Sequence, residues 1–291
     1  MSEYQRYEWQ TIDRPLSTAE RAAVGELSSH IEVSRSEAWV EYHWGDFKHD
    51  PIEVLARYFD AFLYYANWGA QQLAFRFPKH LLDAERLEPY LWMECATLIN
   101  VDDHHILSIS APDQESPNWE DLTGDLGELL LLRDDLLQGD LRLLYLCWLL
   151  GASVYGFAEE MDGDEDTGDE GDIEPPVPPG LGQLSTALDA FVGFMGLDPY
   201  LVQAAAQASS PLDAKPEPDL ECALETLSSA ERADFLRRLL RGEANLQGTL
   251  RRRLLDLTET DAPPLVSAKR RTFGALVKAA EELRRSAARR R

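Results

Sequence analysis

The tripeptide Asp46-Phe47-Lys48, with Glu41 or Glu32 upstream, carries the residue types of a metal-dependent nuclease or hydrolase. In such a centre two carboxylates hold a divalent ion and a lysine stabilises charge on the attacked phosphate. His49 and His43 stand close by in sequence. That chemistry needs the tripeptide at a strand end facing a partner strand, but here it falls in a strand-to-helix turn. The plainer reading is turn chemistry: Gly45 gives backbone latitude, Asp46 a local hydrogen bond, and Phe47 a plug into the core. Nor do His43, Asp46, His49 and Asp50 have the spacing of a helical ligand pair, and Asp50 is placed to cap a helix. Solvent-exposed loop histidines are the expectation.

Two further clusters resolve the same way. Asp102-Asp103-His104-His105 sits at a hairpin tip, where neighbouring side chains point to opposite faces and cannot easily share one ion. The run from Asp162 opens like a calcium loop. It then has Thr167 where glycine is required and Ile173 where a bidentate glutamate belongs, so it reads as a solvated linker. There is no G-x-S-x-G elbow, P-loop or G-x-G-x-x-G, and Cys147 lies in an apolar helix that disfavours a thiolate. What remains is basic. Arg237, Arg238, Arg241, Arg251, Arg252 and Arg253 flank Phe235, Leu236, Leu239, Leu240, Leu246, Leu250 and Leu254, on two helices expected to form an antiparallel hairpin joined at Gly242. The arginines are either a charged outer face or a docking surface for an acidic partner, such as the chain's own 159–174 segment or a second copy.

The elements that must hold these residues follow from periodicity and capping. YQRYEWQTI (4–12) and EAWVEYHW (37–44) read as strands, and Ser17 with Glu20 makes a capping box for a helix running to about Leu27. Asp50 as N-cap with Pro51 at the first helical position opens a second helix. Two apolar stripes, Ile52-Leu55-Phe59-Phe62-Ala66 and Val54-Tyr58-Ala61-Tyr65, predict that it runs over 51–67 and stops at Gly69. Trp44, Trp68 and Phe47 are expected to pack around it. QQLAFRF (71–77) reads as a strand and 96–111 as a hairpin turning at Asp102-Asp103-His104. Helical periods take over at Trp119–Leu137, Leu141–Phe157, Leu184–Gly196, Pro199–Ser209, Ser229–Arg241 and Glu243–Leu257.

The fold class is therefore α+β. A small antiparallel sheet with two packed helices (1–112) leads to a helical hairpin packed on it (113–158) and an acidic, Pro-rich linker (159–182). An all-α helical domain (183–258) and a basic C-terminal helix (259–291) follow. That last segment stops inside a helical pattern, which predicts that the natural chain continues past Arg291.

Charge is uneven. The formal total is −24, yet residues 1–227 hold 44 Asp+Glu against 12 Lys+Arg, while 267–291 hold 9 Lys+Arg against 2 Asp+Glu. An acidic body argues against DNA or anionic lipid as its main partner and leaves the basic end as the element that could meet an acidic surface. Three scattered cysteines with no C-x-x-C, and an N-terminus without a signal-peptide pattern, predict a reducing cytoplasm. The longest apolar run, 143–157, is shorter than a membrane span.

The blocks YEWQTIDRPLSTAE, EYHWGDFKHDP, YFDAFLYYANWG, LLDAERLEPYL and PPVPPGLGQLSTAL together resemble a family of uncharacterised bacterial proteins. The resemblance implies a longer charged helical C-terminus and brings no catalytic residue, cofactor or substrate. The sequence thus predicts a non-catalytic interaction or regulatory protein of the bacterial cytoplasm, without cofactor. It would dock a protein partner or a second copy through its helical half. The expected contacts are the six arginines above with Lys269, Arg270 and Arg271. The segment from Lys269 to Arg291 is expected to extend as an electrostatic arm that also carries Lys278, Arg284, Arg285 and Arg289–Arg291. One alternative is a metal-dependent hydrolase or nuclease built on Glu41, Asp46, Lys48 and His49. The other is nucleic-acid association through the basic helix.

Overall fold

The N-terminal strands alternate in burial, and that alternation assembles one antiparallel sheet. The computed structural model describes residues 3–91, 95–111, 125–159, 173–212, 220–241, 246–258 and 270–289. Its strands are β1 (Gln5–Gln10), β2 (Glu32–Val33), β3 (Glu37–Tyr42), β4 (Ala61–Ala66), β5 (Gln71–Pro78), β6 (Ala96–Val101) and β7 (His104–Ala111), in the order β2-β3-β1-β4-β5-β7-β6. Every pairing is antiparallel. The β6–β7 turn is the two residues Asp102-Asp103; His104 already pairs with Val101, and Asp102 takes the left-handed conformation that aspartate tolerates.

The two sheet faces carry different layers. Trp9, Val40, Phe62, Ala74 and Ile106 gather on one side with Val24 of α1 (Thr18–Gly25) and Val54 and Leu55 of α2 (Pro51–Tyr58). Leu63, Leu73, Phe75, Leu107 and Ile109 form the other side, under helices from the second half of the chain. Both N-terminal helices start as their caps predict. Ser17 and Glu20 bond reciprocally, and the Asp50 carboxylate accepts the Ile52 amide at 2.8 Å with Pro51 following.

The continuous 51–67 helix does not form. It ends at Tyr58, Phe59 turns extended, and Ala61–Ala66 is the central strand β4. The physical reason is that β4 is covered on both faces. Its odd positions (Ala61, Leu63, Tyr65) enter one core cluster and Phe62 the other, so no alternation between apolar and polar marks it as a strand. Asp60 fixes the switch: its amide donates to the Gln10 carbonyl, and its carboxylate accepts the Ile12 and Asp13 amides and the Arg76 guanidinium. Gly69, with φ of 98°, belongs to the β4–β5 turn and not to a helix stop.

The covering layer comprises α3 (Ala84–Leu87), α4 (Leu126–Leu129), α5 (Leu131–Leu137), α6 (Arg142–Glu159), α7 (Thr186–Phe194) and α8 (Pro199–Ala206). It holds Leu143–Leu150 of α6, Leu188 and Phe191 of α7 and Leu201 of α8 in the main core. Among the described residues, no helix is long and apolar enough to cross a membrane. The remaining elements are α9 (Leu220–Thr226), α10 (Ser229–Leu240), α11 (Leu246–Thr258) and α12 (Phe273–Ala288). Ala223, Leu227 and Leu254 make a small separate cluster between α9 and α11. Residues 160–172, 242–245 and 259–269 lie outside the described residues, and with them most of the acidic run, Gly242 and Lys269.

The Pro-rich half of the expected linker is packed, not solvated. Leu181 is buried, the Pro176 carbonyl accepts the Tyr90 hydroxyl at 2.8 Å, and Ile173 bridges to Thr272. Prolines without amide donors suit such an irregular buried stretch, because they leave fewer backbone groups to satisfy.

Candidate functional site

The acidic groups of the 41–50 segment are drawn to different partners. Glu41, on β3, accepts the Tyr4 hydroxyl at 3.0 Å and the Arg6 guanidinium at 2.5 Å. Asp46 accepts the amide nitrogen of Gln5 at 2.8 Å, and the same nitrogen reaches the Gly45 carbonyl. Gln5 is buried, and its oxygen accepts the hydroxyls of Tyr7 and Tyr64. Burial, then the neighbouring Asp46 charge, pushes the Tyr7 phenol up to about 12. Phe47 fills the space between Tyr7 and Trp9, at ring separations of 5.5 and 5.3 Å, as the turn reading expects. Lys48 and His49 face solvent. Glu41, Asp46, Lys48 and His49 therefore serve separate structural bonds or none. Among the described residues, no three His, Cys, Asp or Glu side chains are grouped so as to hold a metal ion.

Two residues assigned to packing are elsewhere. Trp44 is 76 % exposed and Trp68 is 40 % exposed, so neither seals a core. Each is followed by a glycine with positive φ, Gly45 at 76° and Gly69 at 98°, and that conformation turns the chain back directly after the indole. The tryptophans are at one end of the sheet, because Gln5 pairs with Tyr42 on one side and with Ala66 on the other. Between them lies Tyr4, whose ring is 5.4 Å from His43 and whose backbone exchanges bonds with Asn67.

The opposite end of the sheet holds a buried charge network. Asp60 and Arg76 pair at 2.7 Å, and Arg133 of α5 grips Asp13 with two bonds at 3.0 and 2.7 Å. Arg133 also donates to the Arg76 carbonyl and lies over the Phe77 ring. Burial opposes charge on Asp60, but Arg76 and the Asp13 and Ile12 amides outweigh it and hold the carboxyl below its ordinary value of 3.8. His104 and His105 follow on β7. His105 is buried with no bond to its Nδ1, and burial lowers the affinity of both rings for a proton.

The basic helices differ most from expectation. On α10 the outward residues are leucines: Leu236 is 61 %, Leu239 64 % and Leu240 88 % exposed, at i, i+3 and i+4. The inward side of α10 carries Glu231, which pairs with Arg253 of α11 at 2.9 Å. Arg237 and Arg238 both approach Asp234, and Arg238 also covers the Phe235 ring. Arg251 reaches Gln138 at 3.3 Å, which ties α11 to the end of α5; Arg241 is exposed at the α10 C-terminus. Arg251 and Arg253 thus bond to other elements, Arg237 and Arg241 stay exposed, the Arg252 side chain lies outside the described residues, and the leucines expected to form the seam face out. Nothing in the sequence warned of this, because Phe235, Leu236, Leu239 and Leu240 cover an arc of roughly 140°, an ordinary width for a packed helix face.

The basic C-terminal helix is docked and is not an extended arm. Phe273, Leu276 and Ala280 of α12 are buried in the main core, with Phe273 edge-on to Trp148. Arg271 is withdrawn from any partner. It binds the buried Glu174 carboxylate through two nitrogens, at 2.7 and 2.5 Å, and donates to the Ala204 and Ala205 carbonyls. Tyr145 donates to the same carboxylate, and burial followed by the Glu174 charge pushes its phenol well up. Glu174 was missed because nothing in its local sequence, between an acidic run and prolines, separates it from solvated neighbours. Arg284 pairs with Asp198 and Arg285 with Glu281 at the surface, and Arg270, Lys278, Arg284, Arg285 and Arg289 are all exposed.

No protein-family model, curated protein or solved structure matches the chain.

Proposed function

We propose that the protein is a non-catalytic docking protein and that α10 is its docking element. The observation that supports this most directly is the exposed stripe Leu236-Leu239-Leu240, edged by Arg237 and Arg241. Leucines scattered singly over a surface carry no meaning, but three on one helical face make a contiguous apolar patch. Burying each one stabilises a complex by about 1.5–3 kcal/mol, or about 5–9 kcal/mol together. Association costs about 4–15 kcal/mol in lost freedom, so the stripe needs contacts around it. The arginine edge supplies them, and its charge selects a partner helix whose apolar face is flanked by Asp or Glu. The hydrolase alternative has less support, since Glu41 and Asp46 are committed to Arg6 and Gln5. The nucleic-acid alternative loses Arg271 to the buried Glu174, while Arg284 and Arg285 are in exposed pairs that constrain them little.

A defined pair of peptides tests the reading. An amphipathic leucine-striped helix flanked by glutamates is expected to bind at least about tenfold more tightly than its lysine-flanked twin, a gap of about 1.4 kcal/mol. The Leu236→Glu/Leu239→Glu variant is expected to lose that binding. Equal affinity for both peptides, or an unaffected variant, refutes the proposal.

A further inference from the structure

The end of the sheet that carries Trp44 and Trp68 is a second surface, independent of α10. β1 lies between β3 and β4, so the two Trp-Gly turns leave strands two positions apart, roughly 10 Å at the usual inter-strand spacing. The turns are rigidly referenced to each other through Tyr4. It touches His43 on one side, and on the other its amide donates to the Asn67 side chain while its carbonyl accepts the Asn67 amide. Exposing two large aromatics on neighbouring turns loses the burial each would otherwise gain, and tryptophan is the residue most enriched where binding energy concentrates.

The charge around the Trp44 turn is negative, and the Trp68 turn, Asn67–Ala70, carries no charge of its own. Glu3, Asp46 and Asp50 are exposed and Glu41 is partly so, while Lys48 is the one lysine or arginine in 41–50. Arg6 is held by Glu41 and Glu8 and stacks on Trp39 at 4.6 Å, so its charge is neutralised locally. Indole faces beside carboxylates attract a cation twice over, by the ring quadrupole and by Coulomb attraction. A polyproline-type peptide repeats every three residues, about 9 Å, which matches the separation of the two turns. Its carbonyls are unbonded and can accept from indole N–H groups.

We propose that the two Trp-Gly turns form a docking surface for an extended, proline-containing peptide bearing arginine or lysine, with Trp44 and Trp68 gripping positions one polyproline turn apart.

Fluorescence anisotropy of a labelled Arg-Pro-Pro repeat peptide, titrated with the full chain, tests this. Saturable binding is expected that weakens at least tenfold in both Trp44→Ala and Trp68→Ala. Those substitutions leave the net charge unchanged, so general attraction to an acidic protein would survive them. Lys48→Glu is expected to tighten binding, and high salt to weaken it. The proposal is overturned by no saturation up to about 1 mM. It is equally overturned by tryptophan variants that bind like the parent, or by a Ser-Pro-Pro peptide that binds as well. Binding of a neutral oligosaccharide that depends on both tryptophans, with no peptide binding, would reassign the surface to carbohydrate and also overturn the proposal. None of these outcomes touches the α10 leucines, so failure here leaves the α10 reading to its own test.

Discussion

Arg133 shows what one residue can decide. It is 2 % exposed, and its guanidinium ties α5 to Asp13 beyond β1 and to the Arg76 carbonyl on β5. Removing one partner of a buried pair costs about 3–5 kcal/mol, because the other loses its compensation in a poorly solvated site. Arg133→Ala is expected to lower unfolding free energy by that amount in a denaturant titration. Adding Asp13→Asn is expected to cost less than the sum of the two single changes. Asp60 gives a pH signature. Its folded carboxyl titrates below the ordinary 3.8, so the stability it contributes is complete above 3.8 and is lost as pH falls through the lower folded value. Stability of the parent should therefore fall on acidification into that range, and Asp60→Asn should flatten the fall in acid-unfolding curves. A variant that keeps the full acid dependence contradicts this role for Asp60. Neither network was legible in the sequence. Asp13, Asp60, Arg76 and Arg133 are far apart in the chain and meet only through the sheet.

At the scale of elements, caps and turns were readable and a two-faced strand was not. Ser17, Asp50 and Pro51 act within a few residues of themselves, so local chemistry reveals them. The break between α2 and β4 depends on layers contributed from opposite sides of the sheet. A run apolar on all positions satisfies a buried helix and a central strand equally. The same limit hid Trp44 and Trp68: an aromatic-rich stretch looks like core until the turns that expose its ends are seen. The α10 stripe yields a paired prediction. Leu236→Glu with Leu240→Glu should change unfolding free energy by no more than about 0.5 kcal/mol, as surface substitutions do. Leu254→Ala, in the cluster with Ala223 and Leu227, should cost about 2–5 kcal/mol. A large loss from the α10 pair would mean that these leucines are covered within the chain.

Over the whole molecule, the N-terminal sheet followed by a mainly helical region was legible in the period change after residue 112. What charge counting misplaced was the basic end. Nine Lys and Arg in 267–291 suggested an arm, yet Phe273, Leu276 and Ala280 turn α12 inward and Glu174 captures Arg271. A helix can be basic in total and still bury one face. Among the described residues α10 presents three exposed leucines on one face, and we propose that a partner covers them. A photo-crosslinking residue at position 240, in the protein within its own cells, tests that claim most directly. We expect a discrete protein adduct that disappears when Leu236→Glu and Leu239→Glu are added, and none from the same probe at Leu131, which is 63 % exposed on α5. No adduct at 240, or the same products from 131 and 240, would contradict it.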